Sequence, residues 1–293
     1  MAKYQRWYVA LFYLFSGIAL FALFIFFGFI IFKGVSSLSL KLIFDDTPAL
    51  AALLLKARVF DGIFNAIIGS LFVVGLAMVF ALPVGFLTGL YLFVYAHKKM
   101  RHLLGFLCDI LSSMPSIVIG LFGLSITIFL HKNHFASLFP SLLVSALSLS
   151  VLVIPYIIKM TDVALRGLPK EVSHIGLRLG ATPLQNLFYV QLPLASKEIV
   201  SGIILAIGRA LEDTAVIMMT GAVAMAGIPS SLLQKYEALP FFIYHISSEY
   251  TNQAQLHQGF GASVILLVLS LTLFSIAIYL QKMISKRSGF VTH

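Results

Sequence analysis

Residues 168–198 read LPKEVSHIGLRLGATPLQNLFYVQLPLASKE, a charged, proline-bounded stretch set between long apolar runs. Pro169 suits the first turn of a helix because it has no N–H to leave unsatisfied. Val172, Ile175 and Leu179 follow at helical spacing on one face, and Lys170, His174 and Arg178 fall on another. Gly180 can take the left-handed conformation that ends a helix. Thr182-Pro183-Leu184-Gln185 then forms a capping-box pattern with proline at the first helical position. The spacing predicts a second short helix to about residue 191, broken by Leu192-Pro193. Such an amphipathic helix–glycine–helix element, standing in water between membrane spans, can present an apolar ridge to a groove on another protein. The competing reading is a solvated loop whose basic residues only hold topology.

Outward from this stretch the chain is written for lipid. Apolar residues make up 60% of it and charged residues 11%, and the mean hydropathy is +1.00. Soluble domains carry about a quarter charged residues. A helix needs about 20 mostly apolar residues to cross a bilayer. Six runs qualify, at 7–32, 62–96, 103–130, 135–158, 199–226 and 258–281, which predicts an all-α, multi-pass membrane protein. The run at 62–96 is too long for one straight crossing, so part of it is expected to be tilted or interfacial. The first run follows Lys3 and Arg6 but exceeds a signal-peptide core and lacks a small-residue cleavage site, so it reads as a retained span. The outer segments 33–61 and 227–257 are long enough for short surface helices. No internal repeat or low-complexity tract is evident.

Lysine and arginine placement sets orientation, because cytoplasmic loops hold the excess. With the N-terminus inside, thirteen basic residues fall in inner segments and six in outer ones, and Arg209 lies within a span. Both termini and the 168–198 stretch are therefore expected in the cytoplasm. The net charge of +9 is spread in short clusters between apolar runs, which speaks for membrane loops and against nucleic acid. The single cysteine, Cys108, cannot form an internal disulfide.

Arg209, Glu212 and Asp213 share one span at i, i+3 and i+4 spacing, which predicts one broad helix face carrying all three. A charged side chain at mid-bilayer costs about 2.5–3.5 kcal/mol on insertion scales and commonly faces a cavity or partner. Two readings stay open on these residues alone. Arg209 and the acids neutralise one another inside a bundle, or Arg209 binds an oxyanion with its planar fork of donors while an acid orients it. Asp109 falls near the cytoplasmic end of its span, an interfacial position. Ser112, Ser113 and Ser116 could donate to an anion, although serines in membrane helices mostly satisfy backbone. His131 and His134 stand in a short outer loop without cysteine or acid nearby, a pair more often incidental than a metal site. The sequence contains no G-x-x-x-x-G-K-[ST], no G-x-S-x-G and no H-E-x-x-H. No nucleophile–base set points to an enzyme, and any nucleotide hydrolysis is expected from another polypeptide.

The 168–198 stretch resembles the coupling loop of ATP-binding-cassette importer permeases, whose pattern is E-A-A, three residues, Gly, nine residues, an aliphatic, any residue, Leu-Pro. Gly180, Val190, Leu192 and Pro193 match at those spacings, while His174, Ile175 and Gly176 stand at the E-A-A positions and Glu171 lies one turn earlier. Residues 208–215, GRALEDTA, look like the A-R-A-x-G-E-T-A segment of phosphate importer permeases. Asp213 stands at that family's glutamate and Glu212 at its glycine. Residues 113–123, SMPSIVIGLFG, are similar to the family's G-x-P-S-I-V-x-G-L-F-G. The tail after Leu239-Pro240 is also similar, and the short N-terminal region points to the PstA type. The resemblance runs from about residue 62 onward.

The resemblance implies a MetI-like permease core at 62–293, preceded by a transmembrane helix and outer segment at 1–61, with the coupling loop at about 160–197. It implies a transmembrane subunit of an ATP-driven phosphate importer in the cell inner membrane. The expected partners are a second permease of the PstC type, an ABC ATPase dimer that binds the ATP, and an extracytoplasmic phosphate-binding protein. The substrate path is expected at Arg209, Asp213, Glu212 and Ser116. The ATPase contact is expected at Glu171, His174, Ile175, Gly176, Gly180, Leu192 and Pro193. Two carboxylates against one guanidinium would repel an anion, so either one acid carries a proton or Glu212 pairs with the second permease. Sulfate, molybdate and tungstate are the alternative substrates. A proton-coupled secondary transporter using Glu212, Asp213 and Asp109 is the alternative mechanism.

Overall fold

The computed structural model describes residues 2–53, 59, 62–133, 135 and 137–287. Among them it is helical and holds six helices long and apolar enough to cross a membrane. α1 (Ala2–Val35) leads to two short outer helices, α2 (Leu40–Phe44) and α3 (Ala49–Leu53). Then follow α4 (Phe64–Val94), α5 (Lys98–Ser113), α6 (Ser116–Asn133) and α7 (Leu142–Arg166). The loop between spans carries α8 (Lys170–Ser173), α9 (Ile175–Arg178), α10 (Pro183–Asn186) and one wide turn, Leu187–Gln191. The chain finishes with α11 (Leu192–Leu211), α12 (Ala215–Thr220), α13 (Leu239–Glu249) and α14 (Gln253–Arg287). The outer segments thus carry the surface helices expected of them. His134, Lys56 and Arg58 lie outside the described residues.

α4 and α7 form the centre and run parallel. Gly85 abuts Ile157, and Gly89 abuts Thr161 one turn further along both helices. A Cβ at Gly85 would fall 2.7 Å from Ile157 Cβ and one at Gly89 2.6 Å from Thr161 Cβ, so only glycine lets these backbones come so close. α11 crosses α7 in the opposite sense, with Gly202 on Met160, and α14 closes over Gly208 with Phe274. The main core joins Val73, Ala77, Leu149, Val153, Ala206, Ala210 and Val216 from four of these helices. α1 packs mainly along α14, where Phe29 meets Phe260 edge-on, and Gly34 lies against Val264. The rest of α1 exposes large apolar side chains, as a lipid-facing helix does.

Three expectations need correction. The run at 103–130 is not one helix. Met114 turns extended at φ −69°, ψ 136° ahead of Pro115, and the chain restarts as α6. Proline pushes the preceding residue out of the helical region, which accounts for the break. The run at 199–226 also breaks, after Leu211. Leu192-Pro193 does the reverse of what was expected. The helix runs unbroken through it from Pro183 to Leu211, and the wide turn at Leu187–Gln191 just before Pro193 accommodates its missing N–H.

Candidate functional site: a broken span and an apolar lever

α11 ends where its charges begin. The Glu212 N–H still donates to Gly208 O, at 3.1 Å, and then the chain turns. Asp213 Oδ1 accepts the Val216 N–H at 2.8 Å, which caps α12. Asp213 Oδ2 lies 3.4 Å from Arg209 Nη1. One carboxylate therefore ties the last turn of α11 to the first turn of α12. Both helix dipoles favour the pairing: a cation at the C-terminal end of one helix and an anion at the N-terminal end of the next. Asp213 is 3% exposed, whereas the Arg209 side chain is 35% exposed. Glu212 is exposed and its carboxylate has no partner among the described residues. The three charges therefore do not share a face: Asp213 turns into the bundle and Glu212 away from it.

The break lies near mid-depth. Gly202 of α11 is level with Met160 of α7. Seven residues onward, at a rise of about 1.5 Å each, Arg209 stands roughly 10 Å further along the bundle, level with the middle of α7. Along α11 the exposed residues are Lys197, Glu198, Ser201 and Leu205, followed by Glu212 at its end, with Arg209 partly open beside them. The first part of this stripe meets α14, whose Gln281 donates to Lys197 O and Ser201 Oγ, and the stretch from Leu205 to Glu212 is left open by the chain.

α6 and α12 run side by side in the same direction. Gly120 meets Ala215 and Val216, and Gly123 meets Thr220 and Ser148. The register places Ser116, the first residue of α6, one turn before Gly120 and so level with the break. Ser116 is half-buried and reaches none of the three charges. Ser112 and Ser113 donate to the carbonyls of Cys108 and Asp109, the structural use expected of them. Thr220 Oγ1 donates to Val216 O at 2.6 Å and bonds Ser145 Oγ at 2.9 Å, which straps α12 onto α7. Asp109 pairs with Lys159 at 2.6 Å, two turns from the end of α7, an interfacial position. His131 stacks near Phe139, at 4.5 Å between centroids, and no metal-binding cluster is present among the described residues.

The loop between α7 and α11 has the capping chemistry the sequence predicts. The Gln185 N–H donates to Thr182 Oγ1, and the Thr182 N–H donates to Gln185 Oε1 at 2.9 Å. Gly180 adopts φ +86°, where a side chain would be strained. The first predicted helix divides at His174 into α8 and α9. Gly176 is buried because Asn186 Oδ1 accepts its N–H at 3.1 Å and fills the space a side chain would need. Leu187 inserts among Leu90, Ala164, Leu165, Ala195 and Ile199, at the C-terminal ends of α4 and α7 and the N-terminal end of α11. Glu171, His174 and Ile175 are exposed, and Leu192 and Pro193 are half-buried at the base of α11. Leu179 is 83% and Tyr189 81% exposed, and Phe188 extends the same apolar surface. Sequence reasoning missed Asn186, Leu187 and Tyr189. It also missed Gly120 and Gly123, whose i, i+3 spacing was the available signal.

A helical membrane protein with an apolar lever packed against the ends of three spans is built as a transporter's membrane subunit. The comparisons place it: residues 81–289 match the family described as binding-protein-dependent transport system inner membrane component, and the chain belongs to that family. It is 31% identical over 246 residues to the phosphate transport system permease protein PstA of Haemophilus influenzae, covering 83% of this chain and 82% of that protein. It is 28% identical over 276 residues to a probable ABC transporter permease, YqgI, of Bacillus subtilis, covering 89% of each. Among solved structures it superposes on a bacterial alginate ABC transporter with a TM-score of 0.66 at 15% identity, covering 96% of each chain. A chain of the MetNI methionine ABC transporter gives 0.56 at 18% identity, covering 81% of this chain and 99% of that one. These neighbours share the MetI-like fold. The chain is thus a multi-pass inner-membrane permease subunit of an ABC transporter, and it is not an enzyme.

Proposed function

We propose that this chain is the PstA-type permease of an ATP-driven importer that carries inorganic phosphate by alternating access. The observation that carries this reading is the Arg209–Asp213 pair at a mid-depth helix break, on a stripe of α11 that the chain leaves uncovered. A second permease of the PstC type would cover that stripe and enclose the path. Asp213 fixes one edge of the Arg209 guanidinium and leaves further donors to meet an oxyanion, for which a planar fork is suited. The first-turn N–H groups of α6, with Ser116, stand at the same level and favour negative charge. ATP would bind the partner ATPase dimer, which would seat on Ile175, Leu179, Phe188 and Tyr189. Its closure would move Leu187 and with it the ends of α4, α7 and α11. Both termini would lie in the cytoplasm, with 62–293 as the permease core and a phosphate-binding protein docking outside.

The test is uptake of labelled phosphate by the reconstituted complex. Arg209→Ala should lower uptake by about a hundredfold or more, the scale of losing one preorganised anion contact, at unchanged protein level. Normal uptake by that variant would remove Arg209 from the path. Glu212, in place of the family's glycine, favours a second reading in which the substrate is sulfate, molybdate or tungstate. Competition by those anions decides between them.

A further inference from the structure

We infer that Glu212 faces a basic side chain supplied by a different permease subunit, one that brings more cations than acids to this depth. The inference rests on the importer reading above and names the partner of the same site.

Arg209 is held on one edge by the buried Asp213, and Glu212 is left as an exposed carboxylate at the open end of α11, with no cation paired to it among the described residues. One guanidinium against two carboxylates leaves this chain one negative charge in excess at the break. When the gate closes and water leaves, an uncompensated carboxylate at mid-depth is costly, and it repels the anion that the path is meant to carry. A second copy of this chain does not cure the imbalance. It would bring its own Arg209 together with its own Asp213 and Glu212, doubling the excess. Only an unlike subunit with a surplus lysine or arginine at this level compensates Glu212 and leaves Arg209 to the substrate. Leu205, two turns before Glu212, is an exposed apolar group that a facing helix can pack on. The charge arithmetic therefore selects a heteromeric pair.

The experiment uses the importer complex purified with its partner permease. Glu212→Gln, which keeps shape and removes charge, should weaken retention of the partner by about thirtyfold, as when one member of a buried charge pair is truncated. Glu212→Lys should abolish retention. A Glu212→Cys variant in a background with Cys108 replaced, the one native cysteine, should crosslink to a single partner peptide. Changing the basic residue in that peptide to glutamate should restore retention with Glu212→Lys. If Glu212→Gln retains the partner and transports like the unaltered complex, Glu212 is neutral or merely hydrated and the inference falls, with the importer reading intact. A crosslink only between copies of this chain also overturns it. If the unaltered chain retains no second permease and no ATPase, the importer reading falls and takes this inference with it.

Discussion

The loop at 168–191 and the break at 209–220 are both short interruptions of long apolar helices, but they are built oppositely. The loop turns most of its large apolar residues outward, with Leu179 and Tyr189 more than 80% exposed, and anchors itself by a few inward residues, Gly176, Asn186, Leu187 and Gln191. The break turns inward: Asp213, Val216, Ile217 and Thr220 are buried, and glycines at 120 and 123 admit α12. An exposed element tolerates substitution until its partner arrives. A packed one responds at once, because close-packed interiors register single methylenes. The loop is made to be grasped and the break to be held.

The largest expected effect breaks the comparison at its packed half. Gly123→Val would drive a side chain into Ser148 and Thr220. Overpacking of this kind costs about 1–3 kcal/mol, and here it would also displace α12 from α7. We expect a lower Tm of the detergent-purified complex and loss of uptake. Tyr189→Asp is the matched change in the exposed half. It should leave the stability of the isolated permease within about 0.5 kcal/mol of the parent, read as a nearly unchanged Tm, while ATPase retention in pull-down drops about tenfold. If Tyr189→Asp lowered the permease Tm as Gly123→Val does, the distinction between grasped and held elements would be wrong.

The two halves also differ in how far the sequence discloses them. Six apolar runs, the Thr182 capping box and the stop at Gly180 were all legible, because each depends on local chemistry within one turn of chain. The break at 212–214 was not. No proline or glycine marks it, and the apolar pattern of Ala215–Thr220 continues the period of α11, so the charges read as one face of an unbroken helix. The available signal was Asp213-Thr214 ahead of an apolar run, a helix-start pattern, outweighed by span length. Leu192-Pro193 failed for a related reason. Proline ordinarily breaks a helix, and only the wide turn at Leu187–Gln191 lets this one run through it.

The smallest effect sharpens the contrast with a second buried acid. Glu237, between α12 and α13, is 5% exposed and accepts the Gly227 N–H at 2.8 Å. It thus holds a backbone turn as Asp213 does, but no arginine pairs with it among the described residues. Burial pushes its carboxyl above the ordinary glutamate range, and the bonds from Gly227 and Asn65 only partly oppose this. A carboxyl whose pKa is raised in the closed loop binds its proton more tightly there than in an opened loop. Closure is therefore favoured as pH falls into the interval between the two pKa values, and it weakens as pH rises through the upper one. Hydrogen exchange over 224–238, corrected for intrinsic rate, should slow as pH falls from neutral into the acidic range. Glu237→Gln should remove that dependence and hold the loop in its low-pH behaviour throughout. A pH dependence that persists in Glu237→Gln would assign it to another group and leave Glu237 as a plain turn-holding residue.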